Sequence, residues 1–402
     1  MSRKPNPKMT PRERMLAAYR NRIPDRIPVS PEIWTATVID HTGLPFHRLS
    51  GPFADADYIK AWYDTQEYFG FDAWILAEFE QAAEGDPYSI ERSSSFIDDD
   101  TIETISIIKT KEGDLRSVSR TNDMYDGWMR EHPVKVFERD FPAYMEYTMC
   151  EAGLLDTSQI THALSVVGEG GLVSANLGEL FISYIAYGRE GDIGQALLDM
   201  IDHESFLLDV RDRYTDNLCA RIDLAAKVPG LESVFINCGY SDGGVLGPNI
   251  YEFWEIPLLK KIADHAKRYD LPLHLHQHGR CRRIVPLVAQ TGVSVIDSLE
   301  APSANGDVED LAEVKKETEG KIALKGNIDP NNILKNGTMK QIEDAVKECI
   351  DKAGAGGGYI LSTGDSALMG TPEDHLFLLS ETGQKYGDIY SSAARLETES
   401  EK

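Results

Sequence analysis

The sequence lacks any uninterrupted apolar segment long enough to span a membrane. A membrane helix needs roughly 18 to 20 consecutive apolar residues, and no segment approaches that length. The N-terminal residues MSRKPNPKMTPRER also lack the apolar core of a signal peptide. These absences predict no membrane association and a cytoplasmic location.

Basic residues are scarce relative to acidic ones. The chain has 41 Lys and Arg against 66 Asp and Glu, which gives a formal net charge of -25. A protein with this charge is repelled by the phosphate backbone of nucleic acids and by anionic lipids. We therefore expect no nucleic-acid partner.

Cysteines are few and odd in number, and the five are scattered along the chain: Cys150, Cys219, Cys238, Cys281 and Cys349. A disulfide framework is therefore not expected. The cysteines are instead expected to be reduced thiols or metal ligands, which agrees with a cytoplasmic location.

A glycine-rich phosphate loop is also missing, because GEGG at 168–171 fits the G-x-G-x-x-G spacing poorly. This disfavours an open, doubly wound sheet. Strand-like runs instead recur with helical patterns between most of them, at 162–171, 232–239, 271–279, 293–300, 321–329 and 357–365. About eight such units close into a barrel of ~250 residues plus insertions. We predict an α/β fold, a (β/α)8 TIM barrel.

The N-terminal part adds a helical segment and an insertion to this barrel. Thr10 and Glu13 form a capping box around Pro11 at the start of a helix. Residues 26–30 (RIPVS) and 72–80 (DAWILAEFE) are predicted strands, and 57–69 a helix. Residues 101–120 predict an antiparallel β-hairpin. We expect one barrel domain over residues 1–390, with the hairpin insertion near 100–120, and a polar C-terminal tail over 391–402.

In such a barrel the functional groups lie at the C-terminal ends of the strands. The predicted strands end in polar residues, although charged strand ends also arise simply because loops are exposed to water. These residues are Glu78, Glu80, Glu169, Asn237, Cys238, His276, His278, Asp297, Glu300, Asn327, Asp329, Thr363 and Asp365.

Three histidines lie within the segment LHLHQHG. Side chains alternate along a strand, so His274, His276 and His278 share the face that points into the barrel. We expect His274 to be a hydrogen-bonded core residue and the other two to bind a metal such as Zn2+. The remaining ligands are open among Cys238, Cys281, Glu300 and Asp365, with Cys238 and Asp365 preferred.

The chain resembles the uroporphyrinogen decarboxylase-like superfamily along almost its whole length. The resemblance is carried by TPRERMLAAYRNRIPDRIPV, EFWEIPLLKKIADHAKRYDLPLHLHQHG, TGVSVIDSLEAPSANGDVEDLAEVKKETEGKIALKGNIDP and GGYILSTGDSALMGTPEDHLFLLSETGQKYG. It implies the barrel predicted above and two possible chemistries. The decarboxylases hold a polycarboxylate with an arginine-rich stretch, but here RIPVSPEIWTATVID has no arginine after Arg26. The decarboxylase reading is therefore disfavoured.

The second branch of that superfamily contains zinc methyltransferases that exchange methyl groups with a corrinoid protein. The resemblance places His276 at the histidine of their His-x-Cys pair, His278 at its cysteine and Asp365 at a later cysteine. It implies Zn2+ held by these residues, with Cys238 as a further candidate. No Asp-x-His-x-x-Gly cobalamin motif is present, so the cobalamin is expected on a separate corrinoid protein.

Within this branch, GNIDP and LEAPSANGD resemble O-demethylase methyltransferase I components. They imply transfer of a methyl group from a small methylated substrate, a methoxylated aromatic, to cob(I)alamin. A methylamine, betaine or thiol methyltransferase and a uroporphyrinogen decarboxylase are the alternatives, and the resemblance also indicates a homodimer. The expected catalytic residues are Glu78, Glu80, Glu169 and Glu300, and the expected substrate-binding residues are Trp34, Phe79, Tyr240 and Asn327.

Overall fold

The computed structural model describes residues 8–81, 84–85, 88–123, 127–318 and 320–400. Its strands are β1 (Ala73–Ala77), β2 (Glu80–Gln81), β3 (Glu84–Gly85), β4 (Tyr88–Phe96), β5 (Ile102–Thr110), β6 (Gly113–Thr121), β7 (Trp128–Glu131), β8 (Leu155–Asp156), β9 (Gly171–Glu179), β10 (Val234–Asn237), β11 (Leu273–Gln277), β12 (Val295–Ser298), β13 (Ala323–Ile328) and β14 (Tyr359–Thr363).

The α-helices surround these strands. They are α1 (Pro11–Tyr19), α2 (Thr35–Thr42), α3 (Phe46–Leu49), α4 (Tyr58–Tyr68), α5 (Phe137–Thr148), α6 (Ser158–Val167), α7 (Phe181–Gly188), α8 (Asp192–Asp202), α9 (Glu204–Ala225), α10 (Gly243–Trp254), α11 (Ile256–Lys267), α12 (Val285–Val288), α13 (Leu311–Thr318), α14 (Met339–Ala353) and α15 (Glu373–Ser400). Among the described residues, none of these helices combines the length and apolarity needed to cross a membrane.

Seven parallel strands form the main sheet, in the order β1-β9-β10-β11-β12-β13-β14. The segment around Val29 lies between the two edges of this sheet. Val29 pairs with Leu361 of β14 in parallel, and the Asp72 N–H, just before β1, donates to the Val29 carbonyl over 2.8 Å. The segment predicted as the strand RIPVS forms only an isolated bridge, but it occupies the position of the eighth barrel strand. This arrangement confirms the predicted (β/α)8 class.

An antiparallel sheet of five strands, β3 to β7, is inserted between β1 and β9. The β5–β6 hairpin confirms the predicted hairpin, with Thr110 paired to Gly113 at its turn. The insertion is larger than predicted, because β4 and β7 extend the hairpin on both sides.

The prediction of a strand over 162–171 is wrong, because this segment contains most of α6 and the turn after it. Ile160, Ala163 and Val167 are buried at the three- and four-residue spacing of a helix face. The barrel strand is β9, which begins only at Gly171. At the other end of the chain, the residues predicted as a polar tail continue helix α15 to Ser400, and residues 401–402 lie outside the described part.

Helix α1 closes the N-terminal end of the barrel. Its predicted capping box is present, with Thr10 and Glu13 bonded to each other's backbone N–H. Its buried side chains pack on the first residues of the barrel strands, namely Trp74, Leu172, Phe235, Val295, Ala323 and Ile360. Polar groups inside the barrel therefore have access to solvent only toward the C-terminal ends of the strands.

Asp72 ties α1, the Val29 segment and β1 together. Its side chain is fully buried, and it accepts hydrogen bonds from Arg14 Nη1 (2.6 Å), Arg26 Nη1 (2.6 Å) and the Val29 N–H (2.9 Å). Arg26 is thus bonded at the closed end of the barrel. A polycarboxylate substrate would have to be recognised at the opposite end, where the barrel is open.

We predict that Asp72→Asn destabilises the fold. Two guanidinium groups would lose a buried charged partner, which is expected to lower the free energy of unfolding by about 3 kcal/mol. Urea denaturation measures this change. The matched control is Asp55→Asn, which removes an exposed pair with Arg48 and is expected to have little effect on stability. If both variants lowered the free energy of unfolding equally, the assignment of Asp72 as the residue that ties these segments together would be contradicted.

Candidate active site

A buried polar network occupies the interior of the barrel. Asp297 of β12 lies at its centre, with Oδ1 at 2.8 Å from His276 Nδ1 and Oδ2 at 3.0 Å from His274 Nε2 and 2.8 Å from Lys325 Nζ. Lys325, His274 and Asp297 are all fully buried. Burial by itself raises the pKa of a carboxyl group, but the charges of Lys325 and the two histidines hold the pKa of Asp297 well below its ordinary value.

His274 is a core residue, as expected from the sequence. Burial lowers its pKa, although Asp297 opposes this effect. Its Nδ1 lies 3.0 Å from the Tyr19 hydroxyl of α1. Both ring nitrogens therefore face protein groups at the closed end of the barrel, and His274 is not positioned to meet a ligand.

Glu32 joins this network from the loop after the Val29 segment. Its Oε1 accepts from Ser298 Oγ over 2.9 Å, its Oε2 accepts from Trp34 Nε1 over 3.4 Å, and Oε2 lies 3.9 Å from His276 Nδ1. Burial and the charge of Asp297 raise the pKa of Glu32. Glu32, His276 and Asp297 offer ligand atoms within 4.8 Å of one another, and they form one set that could hold a metal ion.

A second set lies nearer the open end and consists of His278, Glu300 and Asp365, again with ligand atoms within 4.8 Å of one another. His278 Nδ1 is 3.2 Å from Glu300 Oε1, which also accepts from the Gly279 N–H over 2.9 Å. Glu300 Oε2 is buried without a hydrogen-bond partner among the described residues. Burial alone would lower the pKa of His278, but the hydrogen bond to Glu300 and the charges of Asp365 and Glu32 raise it to about 9.

The second set fits a divalent cation better than the first. In the first set, Lys325 and His274 already balance the charge of Asp297. In the second set, two carboxyl groups and an imidazole meet no lysine or arginine in the described contacts, and the unpartnered Glu300 Oε2 is a free ligand atom. Nitrogen and carboxylate oxygen are ligands that Zn2+ accepts. His276 connects the two sets, because its ring lies 4.0 Å from that of His278.

Cys238, one of the predicted ligands, is not a member of either set. Burial raises the pKa of its thiol well above the ordinary value. Its Sγ instead accepts from the His278 N–H over 3.1 Å. Cys238 therefore supports the His278 backbone, whereas Glu300, predicted as catalytic and also among the open ligand candidates, lies in the second set.

The four predicted catalytic glutamates separate in space. Glu300 lies in the second set. Glu78 follows β1 and receives two hydrogen bonds from Asn176 Nδ2 (2.9 and 3.0 Å). Part of the residue is exposed to solvent, and desolvation of its carboxyl group by the surrounding protein raises its pKa. Glu80 is exposed in β2. Glu169 precedes β9 at the closed end and pairs with Arg12, so the structure does not bring it to the site.

Two site residues were missed by the sequence analysis, Glu32 and Glu179. Glu179 ends β9, where Asn237 Nδ2 donates to its Oε1 over 3.0 Å and its Oε2 is buried without a described partner. Burial and the nearby charge of Glu78 raise its pKa to about 8. Placing β9 correctly would have identified Glu179 as a strand-end residue.

The predicted substrate-binding residues also fall in different places. Trp34 lies at the open end, with its ring 6.4 Å from that of His276. Tyr240 contacts Tyr187 at 4.9 Å and lines a separate cavity of about 620 Å³ next to β7. Phe79 is half-buried and packs on the apolar core. Asn327 donates to the Leu299 carbonyl over 3.0 Å, and its Oδ1 faces the Cys349 thiol of α14, so its amide is used within the fold.

A cavity of about 670 Å³ opens beside Trp34. Its walls come from α2, α3, α4 and the end of β1, and Glu78 and Glu80 lie on its rim. This volume is within the range of small-molecule sites. The open end of the barrel therefore combines a candidate cation site with an open cavity large enough for a small ligand.

Comparison with known proteins agrees with this architecture. The family model described as uroporphyrinogen decarboxylase (URO-D) matches residues 182–386, a range that includes His276, His278, Glu300 and Asp365. A methyltransferase from Methanosarcina mazei has a similar fold, with a TM-score of 0.63 and 14% sequence identity over 94% of this chain and 99% of that one.

Curated relatives include proteins of two kinds. A uroporphyrinogen decarboxylase from Picosynechococcus sp. is 29% identical over 180 residues, which cover 44% of this chain and 46% of that protein. A methylcobamide:CoM methyltransferase, MtbA, from Methanosarcina mazei is 31% identical over 145 residues, which cover 35% of this chain and 38% of that protein. The chain thus spans less than half the length of these relatives.

We predict that Glu179→Gln stabilises the protein at alkaline pH. The folded pKa of about 8 lies above the ordinary 4.5, so the folded state holds this proton more tightly than the unfolded state. The wild-type free energy of unfolding should therefore fall relative to the variant as pH rises from 4.5 through 8, by on the order of 5 kcal/mol. Urea denaturation across this pH range measures the difference.

The control is Glu343→Gln. Glu343 is exposed, and its hydrogen bond to Lys347 lowers its pKa, so its removal should give no alkaline gain. If the free energies of unfolding of wild type and Glu179→Gln changed in parallel with pH, the raised pKa assigned to Glu179 would be contradicted.

Proposed function

Because the chain belongs to the uroporphyrinogen decarboxylase (URO-D) family, and because its acidic barrel mouth has a histidine-carboxylate metal set, we propose that it is a methyltransferase. The proposed reaction removes a methyl group from a methoxylated aromatic compound and transfers it to cob(I)alamin on a separate corrinoid protein. The proposed metal is Zn2+ at His278, Glu300 and Asp365.

The observation that carries this proposal is the second metal set at the open end of the barrel. Its two carboxyl groups and one imidazole need a cation for charge balance, and one buried carboxylate oxygen has no described partner. We add His276, because Asp297 binds its Nδ1 and leaves Nε2 as the nitrogen that can ligate. When bound, Zn2+ supplies Lewis acidity toward a departing oxygen.

The protein groups around this set suit the cleavage of an ether. The departing phenolate is basic and needs a proton or a positive charge. The pKa of Glu179 is raised to about 8, so it carries a proton at neutral pH, and the pKa of Glu78 is also raised. Asn237 holds Glu179 in place through Oε1. These residues are therefore candidates for proton transfer beside the metal set.

The same charges disfavour decarboxylation of a tetrapyrrole. A substrate with several carboxylates requires arginines at the barrel mouth. Arg26, the one arginine in the corresponding segment, is bonded to Asp72 at the closed end. The mouth presents Glu300 and Asp365 instead, which would repel such a substrate.

We predict that His278→Ala and Asp365→Asn each weaken Zn2+ binding by roughly 100-fold, because each removes a ligand from the proposed set. Competition with a chromophoric chelator measures the affinity of the full-length protein. Cys238→Ser is the matched control and should leave the affinity unchanged. Loss of Zn2+ binding in Cys238→Ser with retention in Asp365→Asn would contradict this ligand set.

We predict methyl transfer from methoxybenzenes to chemically reduced cob(I)alamin in the presence of the Zn2+-loaded protein. The absorption spectrum distinguishes cob(I)alamin from methylcobalamin, and Asp365→Asn should lower the rate by roughly 100-fold, since the Lewis acid is lost. Methylamines, betaine and methylated thiols test the alternative donors. Failure of all donors, or metal-independent consumption of uroporphyrinogen, would contradict the proposed function.

A further inference from the structure

Three aromatic rings, those of Trp34, Trp62 and Tyr58, line one wall of the cavity beside Trp34. Trp34 and Trp62 lie 5.2 Å apart with their planes at 33°, and Trp62 and Tyr58 lie 5.5 Å apart with their planes at 23°. The three rings therefore form a row in which neighbouring planes are tilted by no more than 33°. A cage for a methylated ammonium ion needs ring faces that converge from several sides, and such a row of rings does not provide this.

The row leads toward the metal set. Trp34 is its last member, and the Trp34 ring is 6.4 Å from that of His276. The indole N–H donates to Glu32 Oε2 over 3.4 Å, which fixes the direction of the ring. Trp34 therefore both lines the cavity and neighbours His276, so an aromatic ring stacked on it would be held next to the barrel interior. Offset stacking of this kind is favourable.

The charges that line the cavity are negative. Glu78 and Glu80 lie on its rim, and no lysine or arginine occurs among the described lining residues. His162 is the one described lining side chain that can become cationic, and it lies 2.8 Å from Asp57. A carboxylate or sulfonate on the ligand would therefore be placed near like charges without a basic partner.

From these observations we infer that the Trp34 cavity selects uncharged methoxyarenes and rejects the same rings when they bear a carboxylate. Trp34 supplies the stacking surface, and Glu78 and Glu80 supply the charge selection. The inference rests on the proposed function for the role of the ring as methyl donor. It extends that function by naming the binding site and the substrate class.

The test compares 1,2-dimethoxybenzene with 3,4-dimethoxybenzoate, which differ in one carboxylate. Binding is measured by calorimetry on the full-length, chelator-treated protein, so that the carboxylate has no metal to bind. The neutral probe should bind about 100-fold more tightly. Glu80→Gln removes a rim charge and should narrow this ratio. Equal affinity for the two probes, or tighter binding of the benzoate, would overturn the inference.

Variants of the aromatic wall locate the site. Trp34→Leu should weaken binding of the neutral probe roughly fivefold, and Trp34→Phe, which keeps an aromatic face, should restore most of it. Trp128→Leu is the matched control, because Trp128 lines the separate cavity next to Tyr240, and it should bind like wild type. Loss of binding in Trp128→Leu with retention in both Trp34 variants would overturn the assignment.

The failure of this inference is distinguishable from failure of the proposed function. Neutral probes that bind at Trp34 but methylate no cob(I)alamin would contradict the methyltransferase function and leave the binding site standing. Methyl transfer that occurs but prefers methoxybenzoates would confirm the function and overturn the charge selection.

Discussion

The interior of the barrel depends on the buried carboxylate of Asp297. An ionised group in this position would be strongly destabilising without compensation, and Lys325, His274 and His276 provide it through contacts of 2.8 to 3.0 Å. Each partner comes from a neighbouring strand, β11 or β13. The carboxylate therefore holds the three adjacent strands β11, β12 and β13 in one arrangement and sets the orientation of the His276 ring.

This compensation divides the interior into two electrostatic zones. Near α1, the charge of Asp297 is balanced by Lys325 and the histidines, and Tyr19 completes the contacts of His274. Toward the open end, Glu300 and Asp365 face only His278 within the described set. The zone toward the open end thus retains unbalanced negative charge, which favours it over the Glu32 set as the proposed place for a cation. The raised pKa of His278 reports the same field.

Local patterns in the sequence predicted much of this arrangement. The alternation in LHLHQHG correctly directed the histidines into the barrel, because side-chain direction in a strand follows from the backbone alone. The ligand set was less predictable, because whether Glu300 or Cys238 meets His278 depends on register between strands that are distant in sequence. This barrel strand was placed at 162–171 in the sequence analysis rather than at β9. The reason is that GLVSANLGE is rich in small and polar residues, while the preceding helix α6 is more apolar. As a result, Glu169 was predicted as the residue at the end of this strand, a position that Glu179 holds in the structure.

The two parts of the open end place complementary demands on one ligand. The aromatic row ends at Trp34, beside His276, and favours a flat apolar ring. The carboxylates on the rim and around Glu179 disfavour an anion on that ring, yet they suit the moment when an oxygen leaves it, because Glu179 is protonated at neutral pH and the proposed cation is close. A ligand that is neutral on entry and becomes anionic only at one oxygen satisfies both demands. An aryl methyl ether has this property, whereas betaine and a sulfonated thiol carry their negative charge from the start.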